Sequence, residues 1–165
     1  MDIKDIVFIY EAHQNHPTKD SKAFRKWDGK TPYSMHPIWC AATIETETIL
    51  DDKTRRIGSQ SLLYHDVLED TTVELPYDLP LEVVQCIKLM TFPGGSKQEM
   101  EEIWDLPPEI RLFKLYDKVC IFFDGTWMSE EKYIVYLDYI RKLAHDVRSN
   151  YGNLNIVKIA NAITK

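Results

Sequence analysis

Residues 61–71 read SLLYHDVLEDT and place a histidine and three carboxylates beside an apolar run. Read as a helix, this stretch puts His65 and Glu69 four residues apart, and likewise Asp66 and Asp70, so these side chains share one face. The apolar residues fall on the other side and are predicted to face a core: Leu62, Leu63, Val67 and Leu68. A helix with one buried face and a cluster of metal-capable groups on the other suits a hydrolytic metal centre.

Length and composition indicate one globular domain. The chain has 165 residues, of which 44% are hydrophobic and 28% are charged, which is typical of a soluble globular protein. A domain of about 150 residues buries roughly 70% of its unfolded surface, so we expect a single domain over residues 1–165. The formal net charge of -6 argues against nucleic-acid partners, because these require a basic face.

Targeting signals and cysteine usage favour a cytoplasmic protein. The start, MDIKDIVFIYEAH, carries acids and lacks the apolar core of a signal peptide. No stretch has the roughly 18 apolar residues that a membrane span needs, so we expect no membrane partner. The three cysteines, Cys40, Cys86 and Cys120, are an odd number at wide spacing, which predicts reduced, partly buried thiols in the cytoplasm.

Helical periodicity, prolines and capping residues divide the chain into helices, and no strand pattern is found. We therefore predict an all-α fold, a bundle of about seven to nine helices. The predicted helices cover about 3–13, 37–49, 52–69, 81–90, 97–104, 107–123, 129–148 and 154–163.

Two local features refine these predictions. Pro37 is expected at the first helical position, which puts His36 at or beside the N-cap. The helix over 129–148 should bury one stripe of side chains: Tyr133, Tyr136, Leu137, Ile140 and Leu143.

Four residues at separate places in the chain are candidate metal ligands: His36, His65, Asp66 and Asp117. Two imidazoles and two carboxylates suit one divalent ion such as Mn, Fe, Zn, Co or Ni better than Mg, which disfavours histidine. Taken alone, a histidine at a helix start is more often a cap or a surface group than a ligand.

Asp117 lies in the apolar run FKLYDKVCIFF, where a buried carboxylate requires a compensating charge. That charge is either Lys114, Lys118 or a metal ion. The alternative is that Asp117 points to solvent beside Lys114.

The pattern of H at 36, HD at 65–66 and D at 117 resembles the signature of the HD phosphohydrolase superfamily. Three segments extend the resemblance: RK…GKTPYSMHP over 25–37, HDVLEDT over 65–71 and KLYDK over 114–118. They are similar to blocks reading roughly RKxGxPYxxHP, HDVVEDT and KLADR in the (p)ppGpp hydrolase domain of RelA/SpoT proteins and its small stand-alone relatives. The resemblance runs in order over about residues 1–148, and HDVxEDT is much more specific than HD alone.

This resemblance implies an all-α HD domain in which the four candidate ligands hold one Mn-type ion. It also implies that Glu69 and Asp70 position and deprotonate the attacking water. These roles fit the chemistry, because a metal acidifies bound water and polarises a phosphoryl oxygen while a nearby carboxylate takes the proton. The structural alternative for this pair is a solvated acidic helix end.

The loop match assigns Arg25 and Lys26 to the nucleotide base or its phosphates, and Lys30 to phosphate. Arginine stacks on planar rings and forks onto phosphate, so the residue type is suitable. The loop here is longer between Lys26 and Gly29 than in the family pattern. A solvated basic loop is the alternative, and Trp27 is either a cover for a nucleobase or a surface anchor.

One departure from the family concerns the substrate. After the metal aspartate the family continues with a His-Asn pair, whereas Cys120 and Ile121 occupy these positions here. The sequence therefore predicts a metal-dependent phosphohydrolase of a phosphorylated nucleotide or other small phosphate ester. The most specific candidate substrate is (p)ppGpp. The alternative is a non-catalytic nucleotide- or metal-binding module of the same fold. A homodimer is compatible with either.

Overall fold

The computed structural model describes residues 1–19 and 23–165. Across these residues the chain is all-α, which confirms the predicted fold class, and the only β-pairing is two isolated bridges, Pro17 with Thr71 and Phe24 with Pro32. The helices are α1 (Ile3–Asn15), α2 (Met35–Glu45), α3 (Asp52–Tyr64), α4 (Val67–Asp70), α5 (Leu81–Met90), α6 (Gly95–Glu102), α7 (Pro108–Phe123), α8 (Glu130–Tyr151) and α9 (Asn155–Ile163). In the part of the chain described, no helix has both the length and the apolar character to cross a membrane.

The core is built around α7. This helix packs against α2, α3, α5, α8 and α9, and most of its side chains are buried. A helix that is buried on nearly every side lies at the centre of its bundle. Its polar residues are therefore forced into the interior together with its apolar ones.

A glycine lets α3 approach α2 and α7 closely. A Cβ atom at Gly58 would lie 2.5 Å from Cδ1 of Ile44 and 2.6 Å from Cε1 of Phe113, so any larger residue would force these side chains to move. The close approach fixes the position of the turn that follows α3. That turn carries the histidine and aspartate of the HD motif.

The last helix is anchored by a buried carboxylate. Glu47, just after α2, accepts hydrogen bonds from the backbone N–H groups of Asn155 and Ile156, each at 2.9 Å. The hydroxyl of Tyr116 on α7 donates to the same carboxylate at 2.9 Å. The first N–H groups of a helix lack intrahelical partners, so Glu47 caps α9 and ties it to α2 and α7.

The prediction of one helix over 52–69 is wrong. The helix ends at Tyr64, residues 65–66 form a turn, and α4 begins at Val67. The ring Nδ1 of His65 lies 2.7 Å from the carbonyl oxygen of Leu62, so the His65 side chain provides a hydrogen-bond partner for a carbonyl group at the end of the helix. Leu62, Leu63 and Val67 are buried as predicted, whereas Leu68 is 38% exposed because α4 is turned relative to α3.

Smaller corrections concern α2 and α8. The first of these helices spans Met35–Glu45 with Ser34 at its N-cap, so Pro37 is its third residue and not its first. It ends earlier than predicted, at Glu45, and the hydroxyl of the C-cap residue Thr46 donates to the carbonyl of Thr43 at 2.7 Å. In α8 the predicted buried stripe holds at its centre, but Tyr133 is 39% exposed because it lies in the first turn.

Candidate metal centre

The fold brings the four predicted ligands close together: ligand atoms of His36, His65 and Asp66 lie within 4.8 Å of one another, and Asp117 lies beside both histidines. His36 comes from α2, His65 and Asp66 from the turn after α3, and Asp117 from α7, and all four are buried. Nε2 of His36 lies 3.3 Å from Nε2 of His65, 3.4 Å from Oδ2 of Asp66 and 3.3 Å from Oδ1 of Asp117. Nε2 of His65 lies 3.1 Å from Oδ1 of Asp66 and 3.7 Å from Oδ1 of Asp117.

These spacings fit a bound divalent ion. Metal bonds of about 2.1 Å to nitrogen and oxygen put neighbouring ligand atoms roughly 3.0–3.5 Å apart. The buried Oδ1 of Asp117 has no hydrogen-bond partner. Because Nδ1 of His65 faces the Leu62 carbonyl, its Nε2 is left with a free lone pair. The cluster could therefore hold a divalent metal.

The electrostatics of the cluster favour positive charge. Burial alone would lower the pKa of His65, but the charges of Asp66 and Asp117 outweigh it and raise that pKa. Burial likewise opposes protonation of His36, yet negative charge at Cys120 and the hydrogen bond to Asp117 raise its pKa to about 10. The negative potential that favours protonation of the buried imidazoles also favours a metal cation, which would replace those protons.

Asp117 is held from its other side by two buried lysines. Its Oδ2 lies 3.1 Å from Nζ of Lys114 and 3.0 Å from Nζ of Lys118. Burial would raise the pKa of Asp117, but these two ammonium groups hold it well below the usual range. The alternative of a solvent-facing Asp117 is wrong, and both lysines compensate the carboxylate while Oδ1 still faces the cluster.

Glu99 completes this ion network, and no sequence motif distinguishes it. Its Oε2 lies 3.2 Å from Nζ of Lys114 and 2.8 Å from Nζ of Lys118, while the hydroxyl of Tyr139 donates to Oε1 at 3.0 Å. Two buried lysines and two buried carboxylates therefore balance each other. Glu99 lies among other polar residues in KQEMEEIW, so only the packing of α6 on the bundle distinguishes it.

Two further residues beside the cluster were not predicted. The Tyr33 hydroxyl donates to Oδ2 of Asp66 at 2.8 Å, and the ring of His13 lies 5.0 Å from the Tyr33 ring. His13 is buried with no hydrogen-bond partner for its Nε2, and burial lowers its pKa to about 4 despite the charge of Asp66. Tyr33 lies in the quoted GKTPYSMHP segment, so the motif contained a signal for it, whereas His13 reads only as a helix end.

The structure separates the two acids that were predicted to handle water. Oε1 of Glu69 accepts the backbone N–H of Phe92 at 2.8 Å, which ties α4 to the segment after α5. Asp70 is half-buried and interacts with the Tyr33 hydroxyl. Burial and the negative charge of Asp66 raise the pKa of Asp70 to about 7, while the bond to Tyr33 opposes that rise.

The predicted substrate residues also differ from one another. Arg25 is buried, with its Nε 3.1 Å from Oδ2 of Asp124, and its Nη2 donates to the Cys120 carbonyl at 3.1 Å. Lys26 is exposed with Nζ 3.6 Å from the centre of the Trp127 ring. Lys30 is exposed as well. The solvated-loop alternative is therefore wrong for Arg25, which joins the loop to the end of α7.

The aromatic and apolar residues near this loop occupy different environments. Trp27 is 57% exposed, whereas Cys120 is buried and Ile121 packs against the core. The positions that follow Asp117 are therefore filled by a thiol and an apolar side chain.

Comparison with known proteins finds similarity in structure. No family model and no curated protein matches the sequence. A solved structure described as a metazoan ortholog of SpoT that hydrolyzes ppGpp and plays a role in starvation responses has a similar fold. The TM-score is 0.73 at 19% sequence identity, over 98% of this chain and 92% of that chain. The likeness is one of fold, and it confirms the resemblance to an all-α HD domain at that level.

Proposed function

We propose that residues 1–165 form one metal-dependent phosphohydrolase domain that acts on a nucleotide-type phosphate, with (p)ppGpp as the sharpest candidate. The observation that carries this proposal is the convergence of His36, His65, Asp66 and Asp117 from three separate elements. Structural packing alone has no need of two imidazoles and two carboxylates at one buried point. The fold shared with a ppGpp hydrolase supports the same reaction class.

In this proposal the four converging residues hold one divalent ion, Mn first, with Fe, Co, Ni or Zn as alternatives. When bound, such an ion acidifies water and polarises a phosphoryl oxygen. Asp70 takes the proton from the attacking water, because it is half-buried one turn beyond Asp66 and a carboxylate there can serve as a base. Glu69 is held by the Phe92 N–H through one oxygen and uses the other to position the water.

The basic loop supplies charge for the substrate. The whole chain has a net charge of -6, so a phosphate ligand needs local positive charge. In our proposal Lys26 and Lys30 provide it from the surface, and Arg25 fixes the loop through Asp124 while its guanidinium faces the ring of Tyr33 at 5.8 Å. Ile121 is apolar and offers no hydrogen bond to a nucleotide, so the preferred nucleotide is to be found by experiment.

A second candidate is a nucleotide- or metal-binding module that lacks turnover. Two observations favour it. Cys120 and Ile121 replace the polar pair that the family pattern has after the metal aspartate, and Arg25 is already committed to Asp124 and the Cys120 carbonyl. Both candidates share the metal centre, so they differ only in whether the bound substrate is hydrolysed.

A nucleotide panel separates the two candidates. The purified protein is incubated with ppGpp, pppGpp and common nucleoside phosphates in Mn²⁺, Mg²⁺ or Co²⁺, and released phosphate or pyrophosphate is measured. We expect Mn²⁺-supported turnover that falls by about 10³-fold or more in Asp66→Ala, with Asp138→Ala on the exposed face of α8 as the matched control. Full activity of Asp66→Ala would exclude the proposed centre. Nucleotide-induced shifts in melting temperature without turnover under any metal would establish the binding module.

Three broader expectations belong to the same proposal. The free thiols of Cys40, Cys86 and Cys120 support a cytoplasmic protein. Sedimentation of the purified chain would show whether it forms a homodimer. We expect no nucleic acid to co-purify with it, since the net charge is negative.

A further inference from the structure

A second set of donor atoms lies on the opposite side of His36 from the carboxylates. Cys40 is one turn further along α2, and Cys120 is one turn beyond Asp117 on α7. Ligand atoms of His36, Cys40 and Cys120 all lie within 4.8 Å of one another, and all three residues are buried. The helices that build the first cluster thus bring two thiols together beside it.

The ring of His36 has a nitrogen available for this second set. Its Nε2 faces Asp66 and Asp117 at 3.4 and 3.3 Å, which leaves Nδ1 on the other side of the ring. That Nδ1 is buried without a nitrogen or oxygen partner, and the ring interacts with the Cys120 side chain. A buried polar atom without a partner is costly, so an unpaired nitrogen beside two thiols points to a ligand.

The two sulfur atoms interact with each other and with backbone carbonyl groups. Sγ of Cys40 lies 3.6 Å from the carbonyl oxygen of Tyr116, and Sγ of Cys120 lies 3.9 Å from that of His36. A thiol is a poor hydrogen-bond donor, so these contacts would be given up at little cost. The sulfur atoms can therefore turn toward an ion.

We propose that Cys40, Cys120 and Nδ1 of His36 form a binding site for a thiophilic divalent ion, Zn²⁺ or Cd²⁺, next to the oxygen-rich centre. Thiolates select such ions, whereas carboxylates suit Mn²⁺. Zinc bonds of about 2.3 Å to sulfur and 2.0 Å to nitrogen put donors roughly 3.5–3.8 Å apart, so the set closes by small side-chain rotations. The protons that remain on the two sulfur atoms and on Nδ1 of His36 leave to solvent as the ion binds, and one divalent ion with two thiolates and a neutral imidazole has no net charge in the buried site.

Sharing His36 couples the two donor sets. An ion bound at Nδ1 withdraws charge from the imidazole and makes Nε2 a poorer donor to the first centre. Thiophilic ions are therefore expected to weaken Mn²⁺ binding there. This consequence rests on the proposed function, whereas the existence of the thiol site does not.

Cadmium is the probe. The reduced, metal-free protein is titrated with Cd²⁺ while the ultraviolet charge-transfer absorption of thiolate–Cd²⁺ bonds is recorded. We expect a signal that saturates at one ion per chain and is lost in Cys40→Ser and in Cys120→Ser. Cys86→Ser is the matched control, since Cys86 is half-buried on α5 and outside the cluster, and it should keep the full signal.

X-ray absorption at the cadmium edge of the wild-type protein provides a second measurement that needs no variant. Two sulfur scatterers per ion are expected. A wild type without charge transfer, an ion surrounded by oxygen and nitrogen alone, or a signal unchanged in both serine variants would overturn the proposal. Neither measurement uses nucleotide turnover, so loss of the proposed hydrolase activity would leave their results unaffected.

Discussion

The hydroxyl of Tyr33 donates a hydrogen bond to Oδ2 of Asp66 across 2.8 Å, and it joins the loop before α2 to the turn after α3. Burial and the charges of Asp66 and Asp70 raise the pKa of Tyr33 well above its usual value of 10, so it remains a donor. A hydroxyl that donates to one oxygen of a carboxylate also fixes the orientation of the other oxygen. Tyr33 is therefore placed to orient Asp66 toward His65.

Removing that hydroxyl should weaken metal binding. We expect Tyr33→Phe to lower Mn²⁺ affinity by roughly 10- to 100-fold, the usual effect of losing a group that orients a ligand. Isothermal titration of the metal-free protein with Mn²⁺ measures it. Tyr77→Phe, at a fully exposed tyrosine, is the control and should bind like wild type. Equal affinity in Tyr33→Phe would show that Asp66 does not depend on this bond.

Breaking the ion network around Asp117 should destabilise the fold. Lys118→Met removes one of the two cations that balance Asp117 and Glu99, which leaves buried negative charge uncompensated. The expected loss in free energy of unfolding is about 3–5 kcal/mol. Urea denaturation followed by circular dichroism measures it.

The matched control for this prediction is an exposed ion pair. Lys142 pairs with Asp138 at 2.8 Å on the surface of α8, so Lys142→Met should change the free energy of unfolding by about 1 kcal/mol or less. If the two lysine variants were equally stable, the buried network would not contribute as we infer.

The cap on α9 gives a third prediction. Glu47→Ala leaves the Asn155 and Ile156 N–H groups and the Tyr116 hydroxyl without their acceptor. We expect a loss of roughly 2–4 kcal/mol in the free energy of unfolding. Hydrogen exchange should show faster exchange in α9 than elsewhere. Glu45→Ala, two residues earlier and exposed, should leave both measurements unchanged.

The pH dependence of stability should report on His13. Its pKa is lowered from 6.5 to about 4 by burial, so between these values the unfolded chain binds a proton that the folded chain does not. Stability of the metal-free protein therefore falls as pH decreases from 6.5 toward 4, and the His13 contribution to this fall is roughly 3 kcal/mol. Above pH 6.5 this contribution vanishes, because His13 is neutral in both states.

His13→Gln isolates this contribution. The charged groups near His13, which are Asp66, His65 and His36, titrate in both proteins and cancel in the difference. As the pH is lowered, the free energy of unfolding should fall more for wild type than for the variant, so the variant gains stability relative to wild type. A difference that stays constant from pH 7 to pH 4.5 would contradict the lowered pKa.

The proximity of the four candidate ligands could be predicted because each lies in a local motif. His36, His65, Asp66 and Asp117 each lie in a short segment whose residue types resemble a known pattern, and the fold brings them together as that pattern implies. The helices were also predictable, since periodicity and prolines act locally. The break after Tyr64 was not, because it depends on the His65 ring meeting the Leu62 carbonyl.

The long-range partners of buried charged residues could not be predicted from the sequence for a related reason. Glu99 and Glu47 are ordinary acids in polar stretches, and only tertiary packing places one between two lysines and the other at the start of a helix. The commitment of Arg25 to Asp124, which lies 99 positions along the chain, is of the same kind. Charge pairing over such separations is decided by which helices become neighbours.

The central claim is that His36, His65, Asp66 and Asp117 hold one divalent ion. Crystals grown with Mn²⁺ and measured on both sides of the manganese absorption edge test it most directly. We expect one anomalous peak per chain between the Nε2 atoms of the two histidines, at about 2.0–2.3 Å from the donor atoms. No peak there under saturating Mn²⁺, or a peak bound only by surface acids elsewhere, would contradict it.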